Sequence, residues 1–254
     1  MLNLKVVRFK YDKQISYGFV EKDVVLEVSG SPFKKDHFVT GRDFALDEVQ
    51  LLAPVEPSKI IAVGLNYIDH AKELKMPLPE EPIIFFKPAS SLIGHEEEIK
   101  IPNQSRRVDY EAELAFVVSK TAKYISADNA EEYIYGYTCA NDVTARDLQE
   151  KDGQWTRAKS FDTFCPVGPW VVADKKPDEL DIQLNLNRDV KQSSNTSQMI
   201  FSPKELLSFI SSVMTLFPGD IVLTGTPAGV GQMKPNDKIT VKIQSIGELS
   251  NTAV

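Results

Sequence analysis

The sequence predicts an α+β chain that is mostly β. Short runs of β-branched, aromatic and other apolar residues recur along most of its 254 residues, each bounded by turn or polar residues. Helical periodicity is confined to a few stretches. Strands and helices also lack the regular alternation of a βαβ succession.

Met1 to Phe9 reads as a strand, and Val6 to Tyr11, Ser16 to Val20 and Val24 to Val28 are short strand runs split by turn or polar residues. Phe44 to Leu52 reads as a short helix or an irregular segment. Pro54 and Pro57 then punctuate the chain. Residues 1–55 are therefore expected to form a small β-rich N-terminal domain, and 56–254 the main domain. The second unit opens on a buried-strand run, Lys59 to Gly64. Asn66 fits a helix N-cap with Asp69 three residues on, which predicts a helix from Tyr67 to Leu74 that Pro77 and Pro79 stop. Ile83 to Phe86 is another strand. Strands are expected at 113–118, 134–140, 166–173, 180–187, 221–223 and 238–244. Helical stretches interrupt them near Ala130–Tyr133 and over Pro203–Thr215, where Leu206, Leu207, Ile210, Val213 and Met214 recur at helical spacing.

Composition narrows the function classes. Apolar content of 42% and charged content of 26% are ordinary for a soluble globular protein. The net charge is −7 and no basic stripe occurs, which disfavours wholesale nucleic-acid binding. No apolar stretch approaches membrane-spanning length, and the first residues lack the long apolar core of a secretory signal. The two cysteines, Cys139 and Cys165, lie in apolar surroundings outside any CxxC pair, as buried free thiols of a reducing compartment do. A cytoplasmic location is expected.

The chemistry begins with Asp109-Tyr110-Glu111-Ala112-Glu113, a row of acids opening an apolar run. In one continuous strand the three acids share a face, with side chains about 6.6 Å apart. That gap lets two carboxylates converge on one cation at roughly 2.0–2.5 Å; a solvated strand face is the other reading. Asp142, ending the run Tyr135 to Cys139, is placed to complete an acid cluster or to cap a helix. Carboxylate oxygens are hard donors, and together they favour Mg²⁺, Mn²⁺ or Ca²⁺ over zinc.

Other residues carry further chemistry. His70 and Glu73, spaced i, i+3, share a helical face. A Glu there can fix the imidazole tautomer and raise its basicity for general-base work, or the two form a surface ion pair. Only three histidines exist, so candidates for a base are few. Lys159, between apolar groups, can hold an enolate or carboxylate oxygen, or it snorkels to solvent. Gly219 to Gly231 runs from a strand into a Gly-rich turn that presents backbone N–H groups to an anion or forms a tight hairpin or bulge. It lacks the Gly-Lys-Ser/Thr of a phosphate-binding loop.

Taken together, these segments resemble the fumarylacetoacetate hydrolase superfamily from about residue 59 to the end. The motifs fall in the family's order: Gly64-Leu-Asn-Tyr-x-x-His70-x-x-Glu73, Phe86-Lys-Pro-x-Ser-Ser91, Asp109-Tyr-Glu-x-Glu-Leu114, Asn141-Asp-Val-Thr-Ala-Arg-Asp-Leu-Gln149, Ala158-Lys-Ser-Phe161, Asn195-Thr-Ser-x-Met-Ile200 and Leu223-Thr-Gly-Thr-Pro-x-Gly-Val-Gly231. The unit at the start resembles the N-terminal appendage of many bacterial members. The resemblance implies a β-roll catalytic domain, usually in a homodimer. It implies that Glu111, Glu113 and Asp142 hold Mg²⁺ or Mn²⁺, with Ca²⁺ also compatible, and that His70 and Glu73 form a dyad on a short helix. Lys159 matches the lysine that contacts the reacting oxygen. Arg146, Gln149 and Thr226 fall where members bind substrate carboxylate or carbonyl groups. The fourth acid of the longer, true fumarylacetoacetases is not evident.

The expected activity is hydrolysis or decarboxylation of a short 2-oxo (1,3-dicarbonyl) acid, such as an acylpyruvate or oxaloacetate, through an enolate held at the metal. Isomerisation of a hydroxymuconate-type diacid is the alternative. A non-catalytic metal-binding scaffold is the third reading, and the intact His70–Glu73 pair and Lys159 argue against it.

Overall fold

The computed structural model describes residues 4–34, 36–173 and 176–254; Met1 to Asn3 of the first expected strand lie outside them. The N-terminal unit consists of β1 (Lys5–Tyr11), β2 (Gln14–Glu21), β3 (Val24–Ser29), β4 (Phe38–Ala45) and β5 (Gln50–Leu52). The expected helix or irregular segment at Phe44 to Leu52 is instead the end of β4, a single 3₁₀ turn at Leu46–Glu48, and β5. Strand β5 gains its ladder from β1, where Leu51 faces Phe9. Val7, Phe9, Val20 and Val25 form a small core of their own.

The rest of the chain runs β6 (Ile60–Gly64), α1 (Ile68–Leu74), β7 (Ile83–Lys87), β8 (Leu92–Ile93), β9 (Glu98–Ile99), β10 (Val108–Tyr110) and β11 (Ala112–Val118). It continues through β12 (Ile134–Asn141), β13 (Thr144–Ala145), α2 (Arg146–Asp152), α3 (Thr156–Lys159), β14 (Cys165–Ala173), β15 (Asp181–Leu186) and β16 (Asp189–Asn195). It ends with α4 (Pro203–Val213), β17 (Ile221–Leu223), β18 (Gly231–Gln232), β19 (Lys238–Ile243) and β20 (Gly247–Ala253). The architecture is the mixed, strand-dominated β-roll expected of the chain. Among the described residues no helix is long and apolar enough to cross a membrane.

A large sheet runs in the order β4-β3-β2-β1-β14-β12-β11-β17-β6-β7. It passes without a break from the N-terminal unit into the main body, because β1 pairs antiparallel with β14. A second sheet, β16-β15-β19-β20-β9, packs over β11, β12 and β14. Strand β11 shows why its sequence is apolar throughout. Leu114, Phe116 and Val118 enter the core shared with Ile182, Leu184, Val241 and Leu249 of the second sheet. Ala115 and Val117 point the other way, into a core with Val167, Ile221 and Leu223. A strand covered on both faces loses the polar alternation of a half-exposed one.

Helix α4 starts with a capping box. The Ser202 side chain accepts from the Glu205 N–H while the Glu205 carboxylate accepts from the Ser202 N–H, and Pro203 follows in the first turn. It buries Leu206, Leu207 and Ile210. It stops at Val213, short of the expected Thr215, because the chain turns extended at Met214 to bring Leu216 into a bridge with Ala122. The expected helical stretch near Ala130–Tyr133 is a 3₁₀ run over Ala127–Tyr133.

Candidate active site

Strands β11 and β12 pair with Ala112 opposite Asn141 and Glu113 opposite Ala140. The start of one strand therefore lies beside the end of the other. This antiparallel register brings Glu111, Glu113 and Asp142 together although some thirty positions separate them. The backbone N–H of Asp142 donates to the Glu111 carbonyl, 2.9 Å, and the N–H of Glu111 donates to Asn141 Oδ1, 2.9 Å. One oxygen from each of the three buried acids lies within 4.8 Å of the others.

The continuous strand face expected for Asp109, Glu111 and Glu113 is interrupted. The ladder breaks at Glu111, and β10 joins a separate small sheet with β13 and β18. Asp109 thereby leaves the cluster. Its fully buried carboxylate accepts from Arg107 Nε at 3.0 Å and Arg146 Nε at 2.9 Å. It serves as the anchor of Arg146, whose remaining nitrogens reach Glu111 Oε1 and Gln149 Oε1.

Cations meet two of the three acids. Lys159 Nζ donates to Glu111 Oε2 at 2.9 Å and to Asp142 Oδ2 at 2.6 Å. Lys87 Nζ donates to the other Asp142 oxygen at 2.5 Å. Burial opposes ionisation of Glu111, but the charges of Lys159 and Arg146 outweigh it and hold its carboxyl well below the usual range. Burial likewise works against the Lys159 ammonium, and the Asp142 and Glu111 carboxylates overcome it. Glu113 differs. Its Oε2 accepts from the Gly225 N–H, 2.7 Å, and among the described residues it has no ion pair. Burial, then the like charges of Asp142 and Glu111, push its carboxyl well above the usual range. A buried acid without an ion-pair partner, converging with two others on a common point, fits a hard divalent cation.

The His70–Glu73 pair lies on α1. Asn66 does not cap this helix; Tyr67 holds the cap position without a side-chain bond. Asn66 is buried and joins three loops instead. Its Nδ2 donates to the carbonyls of Phe201 and Thr224, and its Oδ1 accepts from the Phe201 N–H. His70 Nδ1–H donates to Glu73 Oε2 at 2.9 Å, which leaves Nε2 as the basic nitrogen. Glu73 Oε1 also accepts from the Gly229 N–H, 3.1 Å. The Gly-rich turn thus presents its N–H groups to carboxylates of the protein itself. Gly225 and Gly229 both have φ above +90°, and a Cβ on Gly229 would lie 2.2 Å from the Lys191 carbonyl oxygen.

A cavity of about 390 Å³ gathers these groups. Glu111, Glu113, Asp142, Lys159, His70, Arg146, Gln149 and Thr226 all line it, and Glu73 stands behind His70. Leu74, Met76, Ile83, Phe85 and Trp155 supply an apolar side. Glu150 also lines the cavity without a role expected from the sequence, and two further polar residues support the site. Lys87 is one; a lysine closing an apolar strand run was the available signal. Gln192 is the other. Its Oε1 accepts from the Ala112 N–H, and its Nε2 donates to Thr226 Oγ1 and the Pro227 carbonyl, so it ties the acid-bearing strand to the Thr226 loop. It sits in a polar run with no periodicity to single it out.

Fold and site define a class: a β-rich, metal-dependent enzyme with its cation site at the end of a central strand pair. The family model for the fumarylacetoacetate (FAA) hydrolase C-terminal region matches residues 59–254, and that for the Rv2993c-like N-terminal region matches 4–54. The chain belongs to the fumarylacetoacetate hydrolase family. It is 46% identical over 219 residues to a Xenopus laevis mitochondrial oxaloacetate tautomerase, covering 81% of this chain and 69% of that one. The structure of a 2-hydroxyhepta-2,4-diene-1,7-dioate isomerase from Mycobacterium marinum superposes with a TM-score of 0.92 at 40% identity, covering 99% of this chain and 98% of that one. A Pseudomonas aeruginosa fumarylpyruvate hydrolase, solved with Mn²⁺ and pyruvate, superposes with a TM-score of 0.75 at 34% identity, covering 81% of this chain and 91% of that one.

Proposed function

We propose that the chain uses Mg²⁺ or Mn²⁺ to hydrolyse or decarboxylate a short 2-oxo acid, such as an acylpyruvate or oxaloacetate, by way of its enolate. The observation that carries this reading is the convergence, in one cavity, of a buried acid triad, a buried lysine and a carboxylate-oriented histidine. Glu111, Glu113 and Asp142 would hold the cation, which when bound supplies Lewis-acid polarisation of a carbonyl.

The remaining steps belong to side chains. Lys159 lies beside the acids and donates to oxygen atoms there, so its ammonium is positioned to stabilise negative charge developing on the 2-oxo oxygen. Arg146, held by Asp109, and Gln149, bonded to Arg146, face the cavity as a rigid pair able to bind a substrate carboxylate. Thr226 offers a hydroxyl beside them. His70 Nε2 removes a proton from water or from the carbon between the carbonyl groups. Glu73 keeps the other ring proton on Nδ1 and stabilises the imidazolium. Water deprotonated by His70 adds to a distal carbonyl. The C–C bond then breaks, its electron pair leaving with the 2-oxo acid enolate. That enolate takes a proton back from the His70 imidazolium, while the distal fragment departs as a carboxylic acid.

A tautomerase or isomerase is the second reading. It needs only the proton transfer at carbon, and relatives named as an oxaloacetate tautomerase and a diene-dioate isomerase favour it. The reading extends to a cytoplasmic homodimer, which light scattering tests. Assay of acetylpyruvate, oxaloacetate and a hydroxymuconate-type diacid, with Mg²⁺ or Mn²⁺ and then with chelator, separates the outcomes. Pyruvate release from acetylpyruvate that stops with chelator supports the hydrolase. Enol–keto interconversion of oxaloacetate without carbon–carbon cleavage supports the second reading. No metal-dependent turnover of any of the three would refute both.

A further inference from the structure

We propose that Trp155, backed by Phe85, is a specificity-determining wall that limits the length of an apolar tail on the substrate. The inference rests on the reading of the cavity as a site for 2-oxo acids.

The cavity lining is of two chemical kinds. One part carries the acids, Lys159, Arg146, Gln149 and His70, and suits the polar head of a 2-oxo acid. The other carries Leu74, Met76, Ile83, Phe85 and Trp155. The cations of the polar part already engage carboxylates, through Lys159 with Glu111 and Asp142, and Arg146 with Asp109 and Glu111. Of the apolar group, Phe85 meets the Lys159 ammonium, 5.2 Å from its ring centroid, and Glu150 also lines the cavity; Leu74, Met76, Ile83 and Trp155 favour hydrocarbon.

Trp155 is a fixed member of that apolar group. Its ring meets Phe85 edge-on, with centroids 5.2 Å apart and planes at 82°. It also fills the space above Gly64, where a Cβ would lie 2.5 Å from the indole. The ring is therefore held between a strand backbone and a second aromatic. Trp155 also lines another hollow of about 200 Å³, together with Gly153, Gln154 and Thr156. Ile83, Phe85 and Trp155 border both spaces. Trp155 is the largest side chain of that partition, so its removal joins the two.

The test is calorimetry of Mn²⁺-loaded protein with straight-chain 2-oxo acids, from pyruvate to 2-oxooctanoate. In the wild type each of the first added methylenes should tighten binding by about fourfold, until the tail reaches the wall and affinity falls. In Trp155→Ala the fall should move to tails at least two methylenes longer, with pyruvate affinity unchanged. Trp155→Phe keeps the contact with Phe85 and should shift the profile by less; it decides the matter if the alanine variant melts below assay temperature. Identical length profiles in wild type and both variants, with pyruvate still bound, would overturn the wall and leave the 2-oxo-acid reading intact. Loss of pyruvate binding in a folded variant would place Trp155 in the head-group site and also overturn it. Failure of every 2-oxo acid to bind the wild type would overturn both readings.

Discussion

Glu113 concentrates the electrostatics of the site. Burial, Asp142 and Glu111 raise its pKa, so the metal-free fold holds its proton more tightly than the unfolded chain does. That contribution to stability is complete below the ordinary carboxylate pKa of about 4.3. It is lost as the pH rises through the raised value. Chelator-treated wild type should therefore lose stability relative to Glu113→Gln as the pH is raised from 5 to 8, read from paired thermal melts. Cation binding must expel the same proton, so Mn²⁺ affinity should rise with pH and the binding heat should depend on the buffer. His70 acts on a different quantity. His70→Ala should keep Mn²⁺ affinity and lower kcat by roughly 10²–10⁴-fold; turnover at the parent rate would remove His70 from the proton transfer. At this scale the sequence exposed the acids and the i, i+3 pair, because charge in an apolar run and helical spacing are local signals. Asp109 and Lys87 were not legible in role. Which acid meets an arginine, and which lysine meets Asp142, is decided by strand pairing across distant parts of the chain.

Loops position the site, and each is tied to another. Asn66 links the segment after β6 to the loops at Phe201 and Thr224, and the Ile200 N–H donates to the Asn66 carbonyl. Asn66→Ala would strand buried backbone groups in both loops. A destabilisation of about 3 kcal/mol is expected, measured by urea unfolding with an unchanged m-value. Gly225 sits beside it with φ +94°, where a Cβ would lie 2.7 Å from Asn66 Cβ. Strands with apolar residues on both faces, such as β11, β12 and β14, were readable to within a residue or two. Strands β16 and β20 were missed. Most of β16 is exposed and polar, and the buried face of β20 is Leu249, Asn251 and Ala253, with one large apolar residue, so both owe their conformation to partners β15 and β19. The reverse error at Asn66 has a related cause. A residue with cap chemistry is drawn away when tertiary partners offer more hydrogen bonds.

Over the whole molecule, β11 and β12 lie in the middle of the large sheet with the second sheet packed over them, and the cation site lies where that pair opens onto the cavity. A rigid base of this kind keeps three carboxyl groups close, and bound metal should strengthen it further. At free metal of about 100 times Kd the linkage is worth about 2.7 kcal/mol. For a domain of this size that is a rise in Tm of about 5–10 °C, to be read by calorimetric scans with Mn²⁺ and with chelator. The strand-dominated class was legible from composition and run length. The joining of the N-terminal unit to the main sheet was not, because the Lys5–Val172 and Val6–Val171 pairings connect opposite parts of the chain. The most direct test of a metal-centred site is titration calorimetry of Mn²⁺ into metal-stripped protein. One ion per chain is expected, with affinity falling more than about 100-fold in Glu113→Ala, beyond the usual effect of supporting residues. No uptake at millimolar Mn²⁺ or Mg²⁺, or uptake that Glu113→Ala leaves unchanged, would contradict it.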